Sequence, residues 1–248
     1  MSTNTVHYRS WEYARRGDYH RELAPNWSYT PTYLQKMRFI RRFVDSLPRT
    51  ARILDAGCGE GVLVEEFRAA GRNIVGMDLN YESDCVRRGD IRDTLEPDST
   101  FDAVLLLDVF EHLAYADQPR ALREIHRILK PAGRLVISVP NLAHLNSRLT
   151  LLFTGRLDRT DKETDHVGER PLAENARLLA EAGFQVGRWY GITFTVPIIY
   201  RRIVCKWAER SRWLHDALGP LARLLPSLAM LNIAVCRKAN GHAERIRM

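Results

Sequence analysis

The chain has 248 residues, 45% hydrophobic and 27% charged, which is ordinary for a soluble globular protein and enough to bury a core without disulfides. No run approaches the roughly 18 apolar residues that span a bilayer, which excludes a simple transmembrane helix. The net charge is +7, but the basic residues fall in scattered pairs (Arg15-Arg16, Arg41-Arg42, Arg87-Arg88, Arg201-Arg202), so charge alone does not single out nucleic acid, an acidic membrane or an anionic substrate.

Residues 1–32 have no clear period and are dense in aromatics, among them Tyr8, Trp11, Tyr13, Tyr19, Trp27 and Tyr29. From Thr32 a helical period sets in, with Leu34, Met37, Ile40, Phe43, Val44 and Leu47 on one face, until Pro48 stops it. Strand and helix signals then alternate. Residues 52–55 read as a strand running into glycines, 62–70 as a helix ended by Gly71, and 73–77 as a strand ending at Asp78. Residues 101–107 are nearly continuous apolar, as in a strand covered on both faces. Asp117 is placed to cap a helix whose inner face is Leu122, Ile125, Ile128 and Leu129. Residues 130–133 should end that helix, with a strand over 134–139. Such alternation predicts a doubly wound α/β fold with a mostly parallel sheet and right-handed crossovers.

One connection breaks the rhythm. The ten residues between Asp78 and Gly89 are too few for a helix and a strand, so the second crossover helix is expected to shrink to a turn, with a brief strand at 84–88. Further on, 142–153 and 171–182 read as helices, 155–170 as a charged loop, 184–190 and 229–237 as strands, and 196–228 as a helical insertion rich in Arg and Trp. Residues 240–248 read as a disordered tail. Cys58, Cys85, Cys205 and Cys236 lie far apart with no CxxC, and the polar, aromatic N-terminus does not read as a signal peptide; both fit a reduced, cytoplasmic protein.

The chemistry concentrates in Asp55-Ala56-Gly57-Cys58-Gly59-Glu60-Gly61, where glycines recur at every second position between a strand and a helix. Gly57, Gly59 and Gly61 permit a sharp turn and close approach of a ligand. The helix start near Val62 offers free N–H groups to a carboxylate. Asp55 can hold an ammonium, directly or through water, so an amino-acid-like ligand end suits this loop. Asp78, at the end of the next strand, stands where an acid can hold both ribose hydroxyls. The spacing is G-x-G-x-G, not the G-x-G-x-x-G of nicotinamide enzymes.

The segments ILDAGCGEG, VGMDLN, GDI, FDAVLLLDVFEHL and LKPAGRLVISVPN, in that order, resemble the motifs of class I S-adenosylmethionine-dependent methyltransferases, closest to the broad group of small-molecule, quinone and sugar O-methyltransferases. The likeness covers residues 50–141 well and 171–191 loosely. It implies a seven-stranded sheet with an antiparallel last strand and S-adenosylmethionine as cofactor. It also implies that Asp55, Ala56, Gly57, Cys58, Gly59 and Gly61 hold the methionine end, Asp78 and Leu79 the ribose, and Asp90 and Ile91 the adenine. Asp108 and Val109 then lie beside the sulfonium. The short connection after Asp78 departs from the family pattern on the adenine side.

Methyl transfer from a sulfonium requires alignment above all, and a base when the acceptor is a hydroxyl. His112 and His166 are the candidate catalytic residues, with His20 and His144 behind them. No metal is expected; the alternative is a divalent ion on Asp108, Glu111 and His112, since quinone O-methyltransferases and small-RNA 3′-end methyltransferases carry a similar acid-x-x-Glu-His. The division expected is an N-terminal arm and helix over 1–48 acting as a lid, a methyltransferase domain over 49–239 with a helical cover at 196–228, and the tail. The cover can pack on the domain, pair two copies as a homodimer, or meet a membrane surface or lipid-linked substrate. The leading expectation is O-methylation of a small-molecule, sugar or lipid-linked acceptor. RNA methylation stands second, without an RNA-binding module to support it, and a non-catalytic cofactor-binding scaffold third.

Overall fold

The computed structural model describes residues 29–156, 166–196 and 212–239. The aromatic arm up to residue 28, His20, much of the charged loop, the first part of the 196–228 region with Cys205, and the tail lie outside them. The elements in chain order are α1 (Thr30–Asp45), β1 (Arg52–Ala56), α2 (Val62–Ala69), β2 (Asn73–Asp78), β3 (Val86–Arg88), β4 (Phe101–Leu107) and α3 (Gln118–Ile128), followed by β5 (Leu129–Pro140), α4 (Leu145–Thr154), α5 (Leu172–Glu181), β6 (Phe184–Gly191), α6 (Arg212–Leu224) and β7 (Leu231–Lys238). Short 3-10 turns occupy Phe110–His112 and Pro226–Leu228.

The strands form one seven-stranded sheet in the order β3-β2-β1-β4-β5-β7-β6. The first five are parallel, and β7 runs antiparallel between β5 and β6. The order reverses between β1 and β4, the point at which doubly wound sheets open a crevice at the carboxyl ends of their strands. Alternation along β4 shows how the sheet divides the interior. Val104 and Leu106 join Leu122, Ile125 and Ile128 of α3 on one side. Ala103 and Leu105 join Ile40, Phe43 and Val44 of α1 and Val64 and Phe67 of α2 on the other. The inner face of α1 is therefore the expected one, except that Leu34 is only half-buried while Tyr33 and Lys36 turn inward.

The β2–β3 connection contains no helix, as the short spacing required. Two details differ from expectation. Asp117 stands at the N-cap of α3 but makes no side-chain cap; its carboxylate accepts from Arg92 at 2.8 Å instead. Residues 130–133 do not separate helix from strand. β5 begins at once, Leu129 pairing with Phe101, and the next paired residue, Arg134, faces Ala103, so the four residues between bulge from the ladder. Ala132 takes a left-handed φ of 59° there, the conformation that makes so tight a detour possible. Of the expected helical cover, α6 and the turn after it are described; α6 buries Ala222 but leaves Trp213 and Leu224 about 70% exposed.

Candidate active site

Three acids lie across the carboxyl edge of adjacent strands: Asp78 ends β2, Asp55 is the penultimate residue of β1, and Asp108 follows β4. Between them runs the glycine loop. Gly57 has φ +81°, and a Cβ there would stand 2.5 Å from Cγ2 of Val109, so only glycine fits. The Gly57 N–H donates to the Met77 carbonyl at 2.7 Å, binding the loop to β2. Asp78 braces the same loop by accepting from the N–H of Gly59 at 2.9 Å, and its other oxygen accepts from Asn80 N–H in its own turn, also at 2.9 Å. Gly61, at φ 84°, leads into α2.

Asp55 is 4% exposed, and burial, with the Asp78 charge adding to it, pushes its carboxyl up to about 7; Lys36 acts in the opposite sense. Ala56 is buried at the strand end, and Cys58 is half-buried with its thiol pushed up by burial and by Asp55 and Asp78. Leu79 offers its carbonyl to Arg88. Asp90 is tied into a bidentate pair with Arg92, closest at 2.7 Å, and Ile91 packs into the core beside Met77. Burial works against the Asp90 carboxylate, but Arg92 outweighs it and holds the group below its ordinary range.

Asp108 is a non-glycine residue at φ 55°, in a conformation that costs a residue with a side chain about 1–2 kcal/mol. Its carboxylate accepts from Tyr29 Oη at 2.7 Å, from Ser138 Oγ and from Lys36 Nζ. Burial opposes its ionisation, yet Lys36, Ser138 and Tyr29 together bring it down to about 2. Lys36 was absent from the sequence expectations. Its side chain is only 5% exposed, with the ammonium 5.7 and 5.4 Å from the ring centres of Tyr29 and Tyr33. The signal for it was a lysine on the inner stripe of an amphipathic helix, where charge is rare unless paired.

Beyond Asp108 the chain makes the turn Phe110–His112. Glu111 is 3% exposed, its Oε2 has no hydrogen-bond partner, and burial followed by the Asp108 charge raises its carboxyl well above the ordinary range. The loop holding His166 is clamped onto this turn. Gly168 N–H donates to the Glu111 carbonyl at 2.8 Å, and Gln118 Nε2 donates to the carbonyls of Phe110 and Gly168. His112 and His166, far apart in sequence, thus meet edge to face with ring centres 4.9 Å apart. Glu111, His112 and His166 each present a ligand atom, all within 4.8 Å of one another. The third partner of Glu111 and His112 is therefore His166, while Asp108 is engaged by Lys36, Tyr29 and Ser138. His144 is buried at the end of a different helix, its Nδ1 3.2 Å from Thr195 Oγ1.

A loop with left-handed backbone at Gly57, Gly59 and Gly61, carboxylates at both ends and the buried Lys36 ammonium nearby suits an adenosyl amino acid. Comparison with known proteins agrees. A family model described as a methyltransferase domain matches residues 18–187, more than half of the chain. A protein of Mycolicibacterium smegmatis named "Probable S-adenosylmethionine-dependent methyltransferase" is 31% identical over 150 residues, covering 56% of this chain and 54% of its own. A ubiquinone biosynthesis O-methyltransferase of Xanthomonas axonopodis pv. citri is 30% identical over 157 residues, 56% of this chain and 64% of its own. The chain thus spans about half the length of the first curated relatives it matches. Among solved structures, the 1,6-didemethyltoxoflavin-N1-methyltransferase of Burkholderia thailandensis, with S-adenosylhomocysteine bound, superposes with a TM-score of 0.52 at 19% identity, covering 94% of this chain and 85% of that one; this likeness shows the fold. The chain belongs to the methyltransferase-domain family.

Proposed function

We propose that the protein transfers the methyl group of S-adenosylmethionine to a hydroxyl of a small-molecule, sugar or lipid-linked acceptor. The observation that carries this reading is the meeting of His112 and His166 beside the buried Glu111, three residues after Asp108. A hydroxyl keeps its proton at neutral pH and needs a base in the transition state; two imidazoles, one on the braced turn and one on the loop clamped to it, supply one. The cofactor supplies an activated methyl on its sulfonium. The chain's part is to align the acceptor with that methyl, worth roughly 7–11 kcal/mol in well-oriented systems, and to take the hydroxyl proton on an imidazole nitrogen. The O-methyltransferase named among the relatives supports the acceptor class.

A second reading comes from the same cluster. Glu111, His112 and His166 form a donor set of one carboxylate and two imidazoles that suits a divalent metal, which would polarise the acceptor oxygen in place of a free base. Methyl-labelled cofactor incubated with metabolite, lipid and RNA fractions of host extract tests the acceptor class. Label in the metabolite or lipid fraction is expected; label confined to RNA overturns the proposal. His166→Ala should cut transfer at least 100-fold with cofactor binding intact, and full activity in excess chelator removes the metal reading.

A further inference from the structure

Helix α4 packs on the body only at its start. Of its ten residues Ser147 alone is fully buried, and everything from Leu151 to Arg156 is exposed. Leu152 and Phe153 are 73% and 80% exposed, and a Cβ on Gly155, which closes the helix, would meet nothing within 4 Å. A helix this short is marginal on its own in water, and three large apolar side chains on its free end mark a surface that something covers. A second exposed apolar stretch lies beside it. Arg148, one turn before Leu151 and Leu152 and on their side of α4, donates to the Ser227 carbonyl at 3.1 Å. Ser227 comes two residues after the exposed Leu224 and Leu225 at the end of α6.

The charges around these side chains select the cover. Arg148, Arg156 and Arg223 border them, all exposed, and among the described residues none of the three guanidinium groups is paired with a carboxylate; those of Arg148 and Arg223 donate to backbone carbonyls. Helix α4 carries no acid, and Asp216 of α6 accepts from Gln35 of α1. A second copy docked through the same face would set arginine against arginine. An anionic lipid surface accepts both features, with the apolar side chains below the headgroups and the arginines among the phosphates. We infer that the free end of α4, with the Leu224–Leu225 edge beside it, seats the protein on an anionic lipid bilayer. The seating is peripheral: among the described residues no helix is long and apolar enough to cross a membrane. Arg148 and Leu151 also line a cleft of about 350 Å3, together with Tyr115, Glu169 and Pro171. A further step rests on the acceptor reading proposed above: a lipid-linked acceptor leaves the bilayer at α4 and enters this cleft, whose Glu169 is three residues from His166.

Sedimentation of the full chain with lipid vesicles tests the seating. The wild type should partition about 100-fold more strongly onto phosphatidylcholine vesicles holding about 30% phosphatidylglycerol than onto pure phosphatidylcholine, the effect of three arginines near an anionic surface. Salt at about 1 M should remove most of that difference. Leu152→Glu/Phe153→Glu should cut partition onto the anionic vesicles by about 10-fold or more, with S-adenosylhomocysteine affinity unchanged in calorimetry. Arg156→Glu/Arg223→Glu should erase the preference for anionic lipid. Leu95→Glu, at an exposed leucine on the connection into β4, should stay within about 2-fold of the wild type. All these positions are exposed, and if one pair unfolds the chain the other pair provides the reading. The inference is overturned if the wild type sediments with neither vesicle, if it binds both equally, or if Leu152→Glu/Phe153→Glu sediments as the wild type does. In the first case a dimer that Leu152→Glu/Phe153→Glu dissolves in ultracentrifugation identifies a second copy as the cover. For the acceptor, methyl label entering the lipid fraction of host extract, presented in the anionic vesicles, should fall about 10-fold or more in the same variant. Label found only in the water-soluble fraction removes the lipid acceptor and leaves the sedimentation result standing.

Discussion

Replacing Asp55 by Asn should stabilise the empty protein and cripple its cofactor binding, and both effects should follow pH. Asp55 is 4% exposed with its carboxyl raised from 3.8 to about 7. A carboxyl raised in the folded state works against the fold wherever the unfolded chain can release the proton. The penalty is absent below about pH 4, grows as pH rises, and is complete above about pH 7. The shift of about 3 units, at 1.36 kcal/mol each, sets a ceiling of about 4 kcal/mol. An amide keeps the shape and never ionises. In thermal melts of ligand-free protein, Asp55→Asn should melt higher than the wild type at pH 8, by up to roughly 8–16 °C for a chain of this size, and the gap should close by pH 4. Cofactor binding repays the wild type, because an ammonium beside Asp55 favours its ionised form. At pH 6 the wild type should release close to one proton per S-adenosylmethionine bound, seen as a dependence of the heat on buffer ionisation enthalpy. The variant should release none and bind about 10- to 100-fold more weakly. Identical melting curves for the two proteins across pH 4–8, or binding without proton release in the wild type, would refute the assignment of Asp55 as the strained, ligand-neutralised acid.

Two smaller changes probe the backbone. Gly57→Ala meets a φ of +81° and the Val109 methyls at 2.5 Å, so it should cost roughly 1–3 kcal/mol in urea unfolding and abolish detectable cofactor binding by calorimetry. Ala132→Gly should go the other way. It relieves the left-handed φ of 59° in the β5 bulge, offset in part by the freer unfolded chain, for a gain of about 0.5–1 kcal/mol with unchanged cofactor affinity.

The parallel sheet, the glycine loop and the missing second crossover helix were readable because each rests on local chemistry: alternate glycines after a strand, the unbroken apolar run of β4, and a count of residues between Asp78 and Gly89. The start of β5 was not, because Lys130, Pro131, Ala132 and Gly133 carry ordinary turn chemistry whether they end a ladder or bulge from its middle. Only the pairing of Leu129 with Phe101 decides that. Asp117 sits where a cap belongs, but Arg92, 25 residues away, outbids the helix N–H groups for its carboxylate. Lys36 escaped because a hydrophobic period assigns inner positions to apolar residues and has no place for a charge whose partner, Asp108, lies 72 residues on. The contact of His112 with His166 is likewise tertiary, made by the Gly168–Glu111 bond and the Gln118 clamp.

The attachment of α1 limits how the protein can open. The helix that carries Lys36 also buries Ile40, Phe43 and Val44, with Leu47 just after it, in the core shared with Ile53, Ile74 and Leu105. Lifting it would return four large side chains to water at about 1.5–3 kcal/mol each, a cost of about 6–12 kcal/mol, comparable to the whole stability of a typical domain. On the time scale of turnover α1 is therefore a fixed wall. Exchange of any ligand held beside Lys36 must therefore proceed without displacement of this helix.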